Sequence, residues 1–436
     1  MNKRILLAAS FLLVNFFFSG CIKDTVTKTY TYTLQRAIYE TKPAVRESIK
    51  SDAPQAIEQP GKLVVQGNYI FLNEIDKGVH VIDNSNPAQP KNIAFIAIPG
   101  NQDLAIKGNT MYADLYSNLL TLDITDPRSV SVKKIDANIF PSRSYGGVVA
   151  INGNQVIFDS SFIVTGWDVK DTTVTEKYNA ATWRRLDQGG VIVFDNCPYC
   201  DFAAVPSTSS SGVKVSTGIG VAGSMARFAI VGERLYTIGN HESLQIFNIT
   251  NPQAPVPVNQ IYFSAVVETI FPFKDKLMMG AANGMYIYDI SSPDAPVQVG
   301  LFTHAESCDP VITDGNNAYV TLRTGTLCNG TINQLDVLDV SNVMQPSLLK
   351  SYDLTHPQGL SIDGKLLFIC DDNAGLKIYD ATKPDNLQLL KTFSDINAYD
   401  VIANNGDAIV VAKDGLYQFD YSQASNIRQL SKLTLH

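Results

Sequence analysis

Apolar and polar positions alternate along residues 284–300, GMYIYDISSPDAPVQVG, until the alternation stops at the Ser-Ser-Pro-Asp-Ala-Pro stretch and a second apolar run begins. A period of two, rich in β-branched and aromatic residues, reads as a strand, and Pro with Ser and Asp reads as its turn. The phrase recurs from residue 61 onward. Each unit has a strand ending near a Gly or Asn turn, a second strand with an aromatic, a third ending in Asp or Asn, a Pro turn and a fourth. The first unit is KLVVQGNYIFLNEIDKGVHVIDNSNPAQPKNIAFIAI at residues 62–98.

The third-strand positions are Asp83, Asp123, Asp195, Asn248, Asp289, Asp339, Asp380 and Asp420, spaced by subtraction at 40, 72, 53, 41, 50, 41 and 40 residues. A period of about 40–45 residues per four-stranded unit is that of a propeller. The sequence thus predicts an all-β propeller of about eight four-stranded blades over residues 61–436, with seven blades and an irregular insert as the alternative. The third unit is the disrupted one. Its first two strands are visible in GGVVAINGNQVIFDSS (146–161) and its third in GGVIVFD (189–195), with a polar insert holding Trp167 and Trp183 between them. Residues 205–223 read as a long Ser/Gly-rich loop.

Ahead of the array, Lys3 and Arg4 precede an apolar run that ends in Phe18-Ser19-Gly20-Cys21. A basic start, an apolar stretch and small residues at a cleavage point make a secretory signal over residues 1–20. Residues 21–60 read as a tether and collar, in which TKTYTYTL (27–34) is a strand expected to cover the last blade. Residues 42–50 form a short helix begun by Pro43.

The chain resembles known families in two places. Phe18-Ser19-Gly20-Cys21 resembles the lipobox of bacterial lipoproteins, which implies lipidation of Cys21, membrane attachment through lipid alone and residence in the cell envelope. Ile22 in place of Asp favours the outer membrane, and Lys23-Asp24 resembles the signal that carries Bacteroidetes-type lipoproteins to the cell surface. GVHVIDNSNPAQP, MYIYDISSPDAP and LKIYDATKPD resemble the LVIVD repeat of bacterial envelope proteins, which implies a propeller. IPGNQDLAIKGNTMYADLY, ETIFPFKDKL, SCDPV and AGLKIYDA resemble the Bacteroidetes lipoproteins that carry it. That family implies no activity.

Of the 436 residues, 45% are hydrophobic and 17% charged, enough for a large core. A net charge of −8 without basic clusters argues against a nucleic-acid partner. The repeated Asp before each turn is expected to accept turn amides, since catalysis does not need eight copies. Asp371-Asp372-Asn373 is read as a solvent-facing turn.

Cys197-Pro198-Tyr199-Cys200 resembles a glutaredoxin active site, but that chemistry needs the first Cys at a helix N-terminus, and no helical period follows. A disulfide or a metal half-site is expected instead. Cys308 and Cys328 are disulfide candidates in an oxidising envelope, and Cys370, inside LLFIC, is a buried free thiol. The histidines are too scattered for a metal site, and no cofactor motif appears.

One set of polar residues remains. Counting back from the first-strand turn of each repeat gives Lys62, Asp103, Arg227, Glu268, Asp309, Gln358 and Asp400. The first strand of a propeller blade is innermost, so these residues are expected to encircle the channel mouth as a binding ring. The function expected is non-enzymatic, binding a protein, glycan or envelope component. The alternative is a hydrolase or lyase using the ring carboxylates with Arg227 or His356.

Overall fold

A computed structural model describes residues 25–140, 148–152, 155–159, 162–179, 219–224, 226–239, 241–304, 310–324 and 332–434. It has two compact units. The smaller holds most of a two-stranded ribbon, Thr25–Thr41 beside Phe162–Asn179, in which Thr29 and Thr175 share a 3.0 Å hydroxyl hydrogen bond and Thr31 and Thr173 one of 2.9 Å. The segment 27–34 is therefore a strand, as expected, and its strand partner is Phe162–Asn179.

The larger unit is a propeller of seven four-stranded antiparallel blades, at residues 60–97, 104–136, 228–262, 267–303, 311–353, 360–393 and 398–434. The count of eight fails at the third repeat. There, among the described residues, 148–152 and 155–159 form a two-stranded hairpin, and the next strand pairs with Thr25–Thr41 instead of adding to it. Blade 2 packs directly on blade 3, through a shared core that includes Tyr112, Leu119, Phe228 and Phe247. Tyr112 donates its hydroxyl to the Pro252 carbonyl at 2.8 Å, across 140 residues of sequence, and Tyr236 of blade 3 repeats the contact to Pro293 of blade 4 at 2.8 Å. These bonds explain the recurrent Pro turn: its carbonyl receives a buried tyrosine from the preceding blade, so the ring stays in register without an unsatisfied hydroxyl.

The repeated Asp has the structural role expected of it. Asp83, Asp123, Asp289, Asp339, Asp380 and Asp420 each accept the backbone N–H two residues on, at 2.8–3.0 Å. Two residues before each Asp or Asn, the pairing of third and fourth strands shifts register in all seven blades. Such bulges sharpen the twist that each blade needs. The second strands lie at the core, as in Thr110–Leu115, buried throughout, whereas outer strands such as Val256–Tyr262 are mostly exposed.

Closure joins the last blade to the first by side-chain packing and hydrogen bonds. Ile402, Ile409, Val411 and Leu416 bury against Leu63, Ile70, Leu72 and Ile82. Gln418 Nε2 reaches Asn84 Oδ1 at 2.7 Å and Ser431 donates to the Pro87 carbonyl at 2.6 Å. At the N-terminal collar, Thr41 caps a helix Lys42–Glu47 with Pro43 in its first turn. The strand Lys50–Asp52 then adds to the outer edge of blade 1, where Ser51 ties to Pro127 and Val130 of blade 2.

Candidate functional site

The chain returning to blade 3 runs along the inner edge of the first two blades. Val221 and Ala222 pair antiparallel with Val65 and Val64 of the innermost strand Pro60–Gln66, and Gly220 donates its N–H to the Ile106 carbonyl at 2.8 Å. The amide of Leu360 in blade 6 then meets Ser224 Oγ at 3.4 Å, and that of Ile270 in blade 4 meets the Ala226 carbonyl at 2.9 Å. Ser224, touching blade 6, and Ala226, touching blade 4, thus lie inside the ring of blades. The sequence marks 205–223 as a loop, whereas its last residues are a strap along the channel.

Beside the strap lies a cavity of about 40 Å³, lined by Ile219, Val221, Phe228, Ala229, Ile230 and Ile270 among others. The strap ends in Arg227, at the level where the innermost strands begin. Lys62 Nζ lies 3.4 Å from Asp103 Oδ2, both side chains at most 5% exposed. The same oxygen accepts the backbone N–H of Arg227 at 2.7 Å, and the Arg227 guanidinium stands 3.8 Å from it. Asp103 Oδ1 accepts the amide of Leu104 at 2.8 Å. Three of the expected ring residues, from blades 1, 2 and 3, thus meet at one point.

Glu268 of blade 4 feels Arg323, Arg227 and Lys62; burial outweighs them and pushes its carboxyl above the ordinary range. Burial likewise brings the Lys62 ammonium down to about 8, opposed by Asp103 and assisted by Arg227. Gln358 of blade 6 is buried and accepts from Arg323 through its side-chain oxygen, while its carbonyl accepts the Thr321 hydroxyl at 2.8 Å. Asp400 of blade 7 is fully buried and acts on Lys62. Strand bulges sit at this level in blades 1, 4 and 7, where an extra residue re-aims a side chain. Asp309 lies outside the described residues, as do Cys21, Cys197, Cys200, Cys308 and Cys328. Cys370 is a buried free thiol.

Sequence reasoning missed Arg323, which stands just past the second strand of blade 5 rather than before the first. It also missed a set of buried carboxylates at second-strand ends. Glu74 accepts the amides of Glu58 and Gln59 at 3.1 and 2.7 Å, and Asp114 those of Gln102 and Asp103 at 2.7 and 2.9 Å. Asp371 accepts those of Thr355 and His356, at 3.0 and 2.7 Å for its Oδ1, and the Lys377 ammonium at 2.5 Å. Burial works against the Glu74 carboxylate, yet hydrogen bonds from His80, Gln59 and Glu58 hold it below its ordinary range. These acids clamp the lead-in to the innermost strands of blades 1, 2 and 6. Asp371 is therefore buried, which corrects its reading as a solvent-facing turn. The signal was an acid 11–16 residues after the amides it binds, a spacing set by one hairpin. His356, next to it, contacts Asp372 and Thr324, each at 3.1 Å.

Among the described residues no group of three or more His, Cys, Asp or Glu side chains could hold a metal ion. No helix among them is long and apolar enough to cross a membrane.

Among solved structures, the chain is similar to BamB from Moraxella catarrhalis (9% identity, 88% of this chain and 97% of that one, TM-score 0.43). It is also similar to the periplasmic gluconolactonase PpgL of Pseudomonas aeruginosa (11%, 86% and 97%, TM-score 0.48) and to the computationally designed Ika8 protein (9%, 86% and 88%, TM-score 0.46). Among curated proteins, none matches. The LVIVD repeat matches residues 61–94 and 310–354, which fall in blades 1 and 5. The chain is thus a seven-bladed β-propeller with LVIVD repeats in its first and fifth blades.

Proposed function

We propose that this protein is a non-enzymatic binding module of the cell envelope, held to the outer membrane by a lipid on Cys21, that takes its partner at the channel mouth. A single observation supports this reading most: Lys62, Asp103 and Arg227, polar side chains from three separate blades, meet around one carboxylate oxygen. Polar side chains converging from separate repeats are the default place for such a module to take a partner. The partner fitting this reading is a protein, a glycan or another envelope component with charged groups to match.

The competing reading, a hydrolase or lyase acting through the mouth carboxylates, draws on the raised carboxyl of Glu268, since an acid held toward neutrality can donate a proton. Against it, the oxygens of Asp103 are engaged by two backbone amides and Lys62, which makes that carboxylate a fastener. The test is affinity capture from solubilised envelopes with the lipidated protein as bait, beside Arg227→Ala/Glu268→Ala. A specific component retained by the wild type and lost by the double variant, at unchanged melting temperature, supports the reading. Equal capture by both baits refutes it.

A further inference from the structure

Blade 1 carries a fifth strand, which shows what the outer edge of a blade accepts. Lys50, Ser51 and Asp52 pair antiparallel with Ala97, Ile96 and Phe95. A Cβ on Gly78 would meet the Ile96 carbonyl oxygen at 2.1 Å. Ile96 therefore turns its backbone toward the third strand, and Phe95 and Ala97 turn theirs outward to the added strand. Between those two points Ser51 faces the next blade, donating to the Pro127 carbonyl at 2.9 Å and accepting the Val130 amide at 3.2 Å. Under this cover Phe95 is only 3% exposed and Ile96 is fully buried.

Blade 4 repeats this edge without the strand: among the described residues its sheet ends at Val297–Thr303. Counted from the bulge, Leu301, Phe302 and Thr303 stand where Phe95, Ile96 and Ala97 stand in blade 1. The Phe302 carbonyl again faces the third strand, 2.3 Å from where a Cβ on Gly284 would be, so Leu301 and Thr303 present their backbone groups outward. Leu301, in the place of Phe95, is 39% exposed. The exposed large apolar side chains of the larger unit all lie on blades 3 to 6 or at their turns, and none on blades 7, 1 or 2. In blade 3 the corresponding amide, Gln260, is already taken by Asn259 Oδ1, and blades 5 and 6 present Ser351 and Thr392 there. Blade 4 alone of these joins an apolar side chain to an open edge.

The adjoining turn decides which side chain fits. Counted from the Asp that opens each turn, Val343 and Pro346 of blade 5 correspond to Pro127 and Val130 of blade 2. That turn lies against blade 4, since a Cβ on Gly300 would run into the Val343 carbonyl. Pro346 has no N–H, so the bond Ser51 accepts from Val130 has no counterpart. An apolar side chain therefore replaces serine at this place, on a turn that also carries Met344, 71% exposed. We propose that the outer edge of blade 4 takes an extended segment of a partner protein as a fifth strand, antiparallel to Val297–Thr303. Its backbone bonds to Leu301 and Thr303, and it sets an apolar side chain opposite Phe302. An open edge is a template for such pairing, and a lipid surface has no matching row of donors and acceptors. This site is separate from the channel mouth and does not rest on the function proposed for it.

The probe is the peptide N-acetyl-Lys-Thr-Val-Ile-Val-Thr-Lys amide, titrated into the full chain beside the same peptide N-methylated at both valines. With its isoleucine opposite Phe302, the valines lie opposite Leu301 and Thr303, so methylation removes those two donors and keeps the apolar surface. The parent peptide is expected to bind and to slow hydrogen exchange at the Leu301 and Thr303 amides, and the methylated one to bind at least tenfold more weakly. Leu301→Ser/Met344→Ser changes only exposed side chains, so it should melt with the wild type and lose at least fivefold in peptide affinity. No binding by the parent peptide overturns the proposal, as does equal binding by the methylated one. Protection of other amides with none at Leu301 and Thr303, or undiminished affinity in the double variant, also overturns it. Self-association, or binding to phosphatidylethanolamine/phosphatidylglycerol vesicles, that the double substitution weakens while no peptide binds assigns the edge to a second copy or a lipid surface and overturns it too.

Discussion

Blade 7 carries a like-charge pair that should be costing the fold stability at neutral pH. Asp407, which opens the second strand of the blade, pairs directly opposite Asp420. The equivalent pair in blade 4 is Lys276 opposite Asp289, an ion pair at 2.9 Å. Asp420 is fastened by the amide and hydroxyl of Ser422, whereas Asp407 Oδ1 is buried with no hydrogen-bond partner among the described residues. Burial, and then the Asp420 charge, push the Asp407 carboxyl up to about 6 from 3.8. At about 1.4 kcal/mol per pH unit that displacement amounts to about 3 kcal/mol. Partial exposure and screening reduce it to about 1–2 kcal/mol.

The sign follows from which state binds the proton. Between pH 4 and 6 the folded protein holds a proton on Asp407 that the unfolded chain has released, so stability falls as pH rises through that window. The cost is fully present above about pH 6 and absent below about pH 4. Asp407→Asn removes the titration and should raise the melting temperature at pH 7.5 by about 2–8 °C, given about 2–4 °C per kcal/mol in domains of 150–250 residues. At pH 4 the variant and wild type should melt together. Thermal melts of both proteins from pH 4 to 8 decide the matter. No gain at pH 7.5, or an equal gain at pH 4, would show that Asp407 is not a buried charge repelled by Asp420.

Gly300→Ala should destabilise, because a Cβ there meets the Val343 carbonyl oxygen of the next blade at 1.9 Å; overpacking of this kind costs about 1–3 kcal/mol, and a denaturation midpoint unchanged from wild type would contradict it. Burial raises the Cys370 thiol well above its ordinary range, with Asp400 and Asp371 adding to it, so intact mass after alkylation of the folded protein should leave Cys370 unmodified, and modification before unfolding would refute its burial. Cys21→Ala should move the protein from the membrane to the soluble fraction, and acylated, membrane-bound variant protein would end the lipoprotein reading.

Much of the propeller was legible in the chain because its determinants are local. A period of two, an Asp that caps its own turn two residues on and a Pro that ends the strand act within one blade, so each repeat announces itself. The candidate ring was drawn from local signals too, by counting back from the first-strand turn of each repeat. That count gave seven positions, one per blade, while the turn residues gave eight. Which number prevails is not local. Residues 148–159 have strand character equal to any other repeat, but a blade survives only if four strands join and find two neighbours, and Phe162–Asn179 pairs elsewhere. The tertiary structure also decided what fills the channel. A Ser/Gly-rich stretch does not reveal that its last residues pair with Val64 and Val65, since the inner edge of blade 1 lies about 155 residues away in sequence. Arg323 and Asp371 stayed hidden because their meaning comes from partners across a hairpin or in the next blade, and only the closed ring brings those partners within reach.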